Sequence, residues 1–410
     1  MSPRSRVRWL FAGAIALTGC SALLDVKDIF LDPNAAQGGQ DVSSDGKLDP
    51  DGAAGDGGAD GGSCVANLQT DKKNCGRCGH DCLGGNCSAG KCQALELATI
   101  GDAPLMHVVV SAQHVFVSTL VTQTGDVAGI WRIPKAGGGA EKYVTTRYAE
   151  QMAILGDTLY FVVEDYAADT GGFYSCPLLG PSPCSPTRIA PAETPRGITT
   201  DTGRVFYGDD SDPDAGKGLM LYTPGGAPTV FREGYGFPRD FFVDGTHAFY
   251  AITYAPSNPP QHATVFEALT DGGVLEKYSY DTPTANSGIL RGSADALFFT
   301  AFDYATTTGG VVRRIPRNAA ALPCDYGAAN NKRPYGIHAD ANRIFWTNLG
   351  GGTARPYTGG SVATCALAGC CAMPETLWTG DGQPSGLTGD ADAVYFVTTT
   401  KGGVWKIAKP

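Results

Sequence analysis

The chain has 410 residues, 42% of them hydrophobic and 18% charged, with Gly 56, Pro 26 and a formal net charge of −10. So many turn-forming residues, with few long apolar periods of helical spacing, point to a β-rich protein, and the acidic balance argues against a nucleic-acid partner. Much of that charge is local, because residues 31–63 hold seven Asp, at 32, 41, 45, 49, 51, 56 and 60, against one Lys.

Residues 1–20 read as a targeting segment outside the fold. Arg4, Arg6 and Arg8 form a basic start, and Leu10 to Leu17 is an apolar run too short to span a bilayer comfortably. Leu17-Thr18-Gly19-Cys20 then matches the bacterial lipobox, whose cysteine is lipidated and becomes the first residue of the mature chain; the alternative is a signal-anchor helix with an incidental cysteine. Ser21 follows in place of the Asp that favours inner-membrane retention. The expectation is a lipid anchor at Cys20 in the bacterial cell envelope, at the outer membrane, on its periplasmic or surface side.

Residues 21–63 read as a tether, low in complexity and rich in Gly, Ala and Asp from residue 36 onward. Asp45, Asp49 and Asp51 bear a superficial likeness to a calcium loop, which the Asp/Gly-rich background explains equally well. Residues 64–92 carry Cys64, Cys75, Cys78, Cys82, Cys87 and Cys92. So short a segment cannot bury a core without cross-links, and export favours disulfides. Zinc held by Cys75, Cys78 and His80 is the alternative. Of the 13 cysteines, setting Cys20 aside leaves an even number for pairing.

From there the chain repeats. Seven aromatic-bearing strands share one pattern: Val115-Phe116-Val117, Leu159-Tyr160-Phe161, Val205-Phe206-Tyr207, Ala248-Phe249-Tyr250, Leu297-Phe298-Phe299, Ile344-Phe345-Trp346 and Val394-Tyr395-Phe396. Their central aromatics stand 44, 46, 43, 49, 47 and 50 residues apart, about the length of a four-stranded propeller blade. Eleven residues before four of them is a Pro (195, 238, 334, 384), and in three units the pattern is Pro-x-Gly. After Trp405 only five residues remain, too few for the outer strand of the seventh unit. Residues 95–100 precede the first unit with alternating polarity and no partner, so they are expected to close the ring as that strand. The fold read from the sequence is all-β: a seven-bladed β-propeller over residues 93–410, closed by an N-terminal strand and preceded by a small disulfide-rich module.

These units resemble those of the NHL and YWTD propeller families, with Ile344-Phe345-Trp346-Thr347 close to a YWTD strand, although YWTD domains usually have six blades. The segment Asn74 to Cys82, NCGRCGHDC, resembles a motif of deltaproteobacterial surface proteins and the cysteine-rich core of stigma-specific proteins. Together with the lipobox, the whole resembles deltaproteobacterial propeller lipoproteins. The resemblance implies a fold and a location but no activity.

Six further cysteines fall in the propeller. Cys176 with Cys184, and Cys365 with Cys370, flank third-to-fourth-strand connections and read as staples. That leaves Cys324 and Cys371 to join neighbouring blades, unless Cys365 pairs with Cys371 instead. The histidines at 80, 107, 114, 247, 262 and 338 share no common position and read as structural or solvated. Asp210, Asp212 and Asp214, followed by Gly216, alternate as oxygen ligands of calcium do, though without the distal Glu of an EF-hand; a solvated acidic turn is the plainer reading.

Loops joining second to third strands, and those joining blades, emerge on one face of a propeller. Here they carry Tyr148, Tyr166, Arg196, Tyr235, Phe237, Arg239, Tyr254, Tyr304, Tyr335 and Tyr357, a composition suited to protein or glycan recognition. Packing between blades is the competing role for several of the tyrosines. The functional expectation is a lipid-anchored envelope binding or scaffold protein. The alternative is a propeller enzyme, a metal-dependent hydrolase or lactonase, with its site in the central channel; inward-facing Asp, Glu, Asn or His would favour it.

Overall fold

In a computed structural model of the chain, the described residues are 66–119, 128–146, 149–164, 170–192, 194–209, 218–232, 238–245, 247–254, 262–268, 274–281, 285–303, 309–317, 322–327, 331–352, 357–367 and 369–410. All described residues belong to the unit formed by residues 63–410.

Among the described residues there is no helix. Seven antiparallel four-stranded sheets follow one another, six of them made of four consecutive strands. Blade 1 comprises Leu105–Val110, His114–Thr119, Ile130–Pro134 and Glu141–Val144, and the plan repeats to blade 6, Pro334–Ala339, Arg343–Asn348, Gly360–Ala366 and Glu375–Gly380. Blade 7 has only Pro384–Gly389, Ala393–Thr398 and Gly403–Ala408 from its own end of the chain, and its fourth strand is Leu95–Thr99. The pairing there is Leu95↔Lys406, Glu96↔Trp405, Ala98↔Val404 and Thr99↔Gly403. A bulge at Leu97 breaks the strict alternation that the sequence suggests, so Leu97 is buried while Thr99 is exposed.

The repeat of aromatics has a packing cause. Each blade's central aromatic joins the apolar cluster shared with the next blade: Phe116 between blades 1 and 2, Tyr160 between 2 and 3, Phe206 between 3 and 4, Phe249 between 4 and 5, Phe298 between 5 and 6 and Phe345 between 6 and 7. Tyr395 completes the circle in a cluster that holds Leu97 of the closing strand together with Val115 and Val117 of blade 1. All seven aromatics are at most 4% exposed, and each buried ring of this kind stabilises by roughly 1.5–3 kcal/mol.

The Pro-x-Gly pattern also has a cause. A Cβ on Gly197 would lie 2.3 Å from the Phe241 ring, one on Gly336 would lie 2.3 Å from the Ser385 carbonyl oxygen, and one on Gly386 would lie 2.4 Å from that of Met106. In each case the innermost strand of one blade lies against the innermost strand of the next, and only glycine permits that approach. Hydroxyls stitch the same seam. Thr300 Oγ1 donates to the Tyr335 carbonyl at 2.6 Å, Thr347 Oγ1 to that of Ser385 at 2.7 Å, and Ser385 Oγ to that of Leu105 at 2.8 Å.

In the module, Cys75 pairs with Cys87 and Cys82 with Cys92, and Cys78 is disulfide-bonded as well. The thiolates that the zinc alternative needs are therefore used up, and the close approach of the Cys75, Cys82 and Cys92 sulfurs is two cystines lying side by side. Cys64 lies outside the described residues. In the propeller Cys176–Cys184 staples blade 2. The remaining four follow the alternative pairing, with Cys365–Cys371 as the staple of blade 6 and Cys324–Cys370 as the link between blades 5 and 6. The Gly327 N–H donates to the Cys371 carbonyl at 2.8 Å, which aligns the two loops so that Cys370 is the member facing Cys324.

Candidate functional site: the loop face and the axial channel

The two faces of the ring are built differently. The face bearing first-to-second-strand turns and third-to-fourth-strand connections is tied together across blades by charges. Lys409 of blade 7 meets Asp340 of blade 6 at 2.7 Å, Arg317 of blade 5 meets Asp244 of blade 4 at 2.5 Å, and Lys135 of blade 1 pairs with Asp390 of blade 7. Burial raises the carboxyls of Asp340 and Asp390, but hydrogen bonds from the lysines and from backbone N–H groups outweigh it, so both lie below the usual range. The disulfide module sits on this same face. His80, Asp81 and Leu83 border a groove with Asp340 and Asp392 of the hairpin turns, and Ala408 packs among Cys75, Cys82 and Cys92.

The opposite, loop face carries a recess of about 560 Å³ between blades 6, 7 and 1, bordered by Asp102, Tyr357, Asp381, Thr399, Thr400 and Lys401. Of the face residues expected from the sequence, Tyr148, Tyr166, Tyr235, Phe237 and Tyr304 lie outside the described residues. Arg239 and Tyr254 are placed by their backbones, in the first and second strands of blade 4. Arg196 bridges two blades through a 2.8 Å ion pair with Glu164. Tyr335 is half-buried with its ring edge-on to Phe302. Tyr357 is only 5% exposed, where the guanidinium of Arg333 covers it 4.1 Å from the ring centre. That Arg333 is itself fully buried and donates to the carbonyls of Gly350 and Gly352, shaping the loop above. Tyr335 and Tyr357 thus take the inter-blade packing role. The acidic run Asp210, Asp212 and Asp214 lies outside the described residues.

The innermost strands bring together residues that the sequence left scattered. Arg291 and His338 occupy the same register in blades 5 and 6, opposite the central aromatics Phe298 and Phe345. Two residues nearer the loop face, His107 of blade 1 and Asp240 of blade 4 share a second register, opposite Ser118 and Ala251. Asp240 is 1% exposed. Its Oδ2 accepts from Arg291 Nη1 at 2.7 Å and from the Leu290 N–H at 2.8 Å. Burial raises the Asp240 carboxyl, and the Arg291 charge and these hydrogen bonds work against that.

Both histidines are driven down to about 4, His107 by burial and then by the Arg291 charge, His338 by burial and then by Lys409 and Arg291. One guanidinium therefore acts on imidazoles from blade 6 and from blade 1. The two rings are neutral near pH 7. The sequence signal for this set is faint: Arg291 and His338 each stand seven residues before a central aromatic, and His107 and Asp240 each nine, but residue type differs within each pair.

No family model matches the chain, and comparison with curated proteins gives no match. Among solved structures it is similar to virginiamycin B lyase from Staphylococcus aureus, with 17% identity and a TM-score of 0.52 over 78% of this chain and 99% of that one. It is also similar to the β-propeller domain of the Trilobed protease from Pyrococcus furiosus, with 8% identity and a TM-score of 0.51 over 75% and 95% of the two chains. At these identities the likeness is one of fold.

Proposed function

We propose that this protein is a binding or scaffold protein of the bacterial cell envelope, anchored by lipid at Cys20 and presenting the loop face of its propeller to a protein or glycan partner. The fold itself does not select a function, since similar structures include a lyase and a domain of a protease. The observation that supports the reading is the asymmetry of the two faces. The disulfide module and the ion pairs Lys409–Asp340, Arg317–Asp244 and Lys135–Asp390 occupy the hairpin-turn face, whereas the loop face carries the recess and the Arg196–Glu164 pair. The loop face, with its recess, is left clear of the module.

The enzyme reading draws support from the polar set in the channel, yet those groups are not arranged for acid–base work. Asp240 is committed to Arg291 and the Leu290 N–H, and among the described residues neither His107 nor His338 is hydrogen-bonded to a carboxylate that would orient it.

The test compares faces in the soluble Cys20→Ala chain. Binding to isolated peptidoglycan and outer-membrane fractions is measured for Lys401→Glu, on the recess, and for Asp295→Lys, on the opposite hairpin turns. Weakened binding with Lys401→Glu alone is expected. Loss with Asp295→Lys alone, or no binding by any form, would overturn the assignment.

A further inference from the structure

Among the described residues, part of the donor set on the innermost strands is left without acceptors. Arg291 is fixed through one nitrogen only, with Nη1 donating to Asp240 Oδ2 and to the Leu290 carbonyl, both at 2.7 Å. Among the described residues its Nε and Nη2 make no hydrogen bond, and its side chain remains 42% exposed although it stands on an innermost strand. With that exposure on an innermost strand, the guanidinium keeps donors available to a ligand from solvent. The fork geometry suits two oxygens of a planar or tetrahedral anion.

Following the ring from Arg291 in blade 5, His338 stands on the innermost strand of blade 6 and His107 on that of blade 1. Both residues are partly exposed, and neither ring makes a hydrogen bond among the described residues. His338 is held against the next blade, where a Cβ on Gly389 would meet its Nε2 at 2.5 Å, and the backbone of His107 packs against Gly386 from the other side. The two histidines thus bracket the innermost strand of blade 7. A neutral imidazole carries one N–H, so each ring can add a donor beside the guanidinium. Asp240, a carboxylate of the innermost strands, is buried against the guanidinium and already accepts hydrogen bonds from Arg291 and from the Leu290 N–H.

We propose that the channel is a binding site for an oxyanion, a carboxylate, sulfate or phosphate group, received by Arg291 Nε and Nη2 with His338 donating from blade 6 and His107 from blade 1. Asp240 serves as the positioning residue, holding Nη1 so that the other two nitrogens face the axis. The site is distinct from the loop-face recess and does not depend on how that recess is used. The group bound is either a free inorganic anion or the acidic group of a larger ligand that reaches down the channel.

Isothermal titration of the full-length protein with sodium sulfate, sodium phosphate and sodium acetate, in a constant chloride background, tests this. Saturable binding of at least one anion at a single site is expected. Arg291→Met should weaken it by about tenfold or more, the scale of losing charged hydrogen bonds. Because that variant leaves Asp240 buried without its partner, Arg291→Met/Asp240→Asn is the folded control for loss of both charges, and it too should fail to bind. The His107→Gln/His338→Gln form should bind more weakly while unfolding at a similar denaturant concentration near neutral pH. Tighter binding of sulfate or phosphate than of acetate would identify a tetrahedral group, and the reverse order a carboxylate-bearing ligand. No saturable binding of any of the three, or equal binding by the Arg291→Met/Asp240→Asn form, would overturn the proposal.

Discussion

His80 of the disulfide module and Lys409, the penultimate residue of the chain, are joined across the closure of the ring: His80 Nε2 lies 2.9 Å from the Lys409 carbonyl oxygen, while its Nδ1 lies 2.6 Å from that of Cys75. The module is therefore packed onto the last strand of blade 7, on which ring closure depends. Ala408 lies among its cystines, and Leu83 packs against the cluster between blades 7 and 1.

This contact sets the effect of breaking the module. Cys75→Ser/Cys87→Ser removes a cross-link and loosens the group that covers Ala408. The expected loss is about 2–5 kcal/mol, the range for a native disulfide of a small exported domain. Denaturant unfolding would measure it, and a second, shared transition for module and last blade should not separate from the propeller. Unchanged unfolding would show that the module rides on the propeller without supporting it.

Ring closure itself is tested by removing residues 94–100. Their strand supplies the pairing for Gly403–Ala408 and places Leu97 in the core, so its loss opens an edge and strips one inter-blade cluster. Melting of the whole propeller should fall cooperatively, whereas removal of residues 36–62 should leave it unchanged. Equal melting of the two deletions would contradict closure by this strand.

Stability should also depend on pH through the channel histidines. In the unfolded chain each titrates near 6.5, and in the fold each has been lowered to about 4. Between those values the unfolded state holds more protons, so the stability present above about pH 6.5 is lost as pH falls toward 4. Two such groups give a slope on the order of 2–3 kcal/mol per pH unit at the middle of the window. Asp240 runs the other way, because its raised carboxyl takes up a proton first in the folded state, and it offsets part of the slope. Asp340 and Asp390, whose carboxyls are lowered, act only below their ordinary value of 3.8. Denaturant unfolding at about pH 7 and about pH 5 should show the loss, and His107→Gln/His338→Gln should remove most of it. A wild-type protein equally stable at both values would contradict this electrostatic picture.

The architecture was legible because its causes are local and repeated. A buried aromatic every 43 to 50 residues is readable as a blade period; Pro-x-Gly marks innermost strands because close approach forbids a Cβ at Gly336 and Gly386. The missing outer strand could be inferred by counting. What was not legible depends on the angle around the ring. Arg291, Asp240, His107 and His338 come from four different blades, and although they share offsets of seven or nine residues from the central aromatics, a mixture of Arg, Asp and His at those offsets does not announce a shared site. Likewise nothing in the sequence distinguishes Cys370 from Cys371 as the partner of Cys324, since adjacent cysteines differ only in the direction the loop gives them. Tyr357 looked like a contact residue because its burial beneath Arg333 is set by a chain turn 24 residues earlier.

The reading of this protein as an envelope-tethered propeller rests most directly on Cys20. Fractionation of cells that express the wild-type chain or Cys20→Ala, with separation of soluble and membrane material before and after detergent, is the decisive measurement. A single lipid-modified residue is the proposed attachment, so wild-type protein is expected with the membranes until detergent is added, and Cys20→Ala in the soluble fraction with its propeller melting unchanged. A Cys20→Ala chain that stays with the membranes, or a wild-type chain that is soluble without detergent, would contradict it.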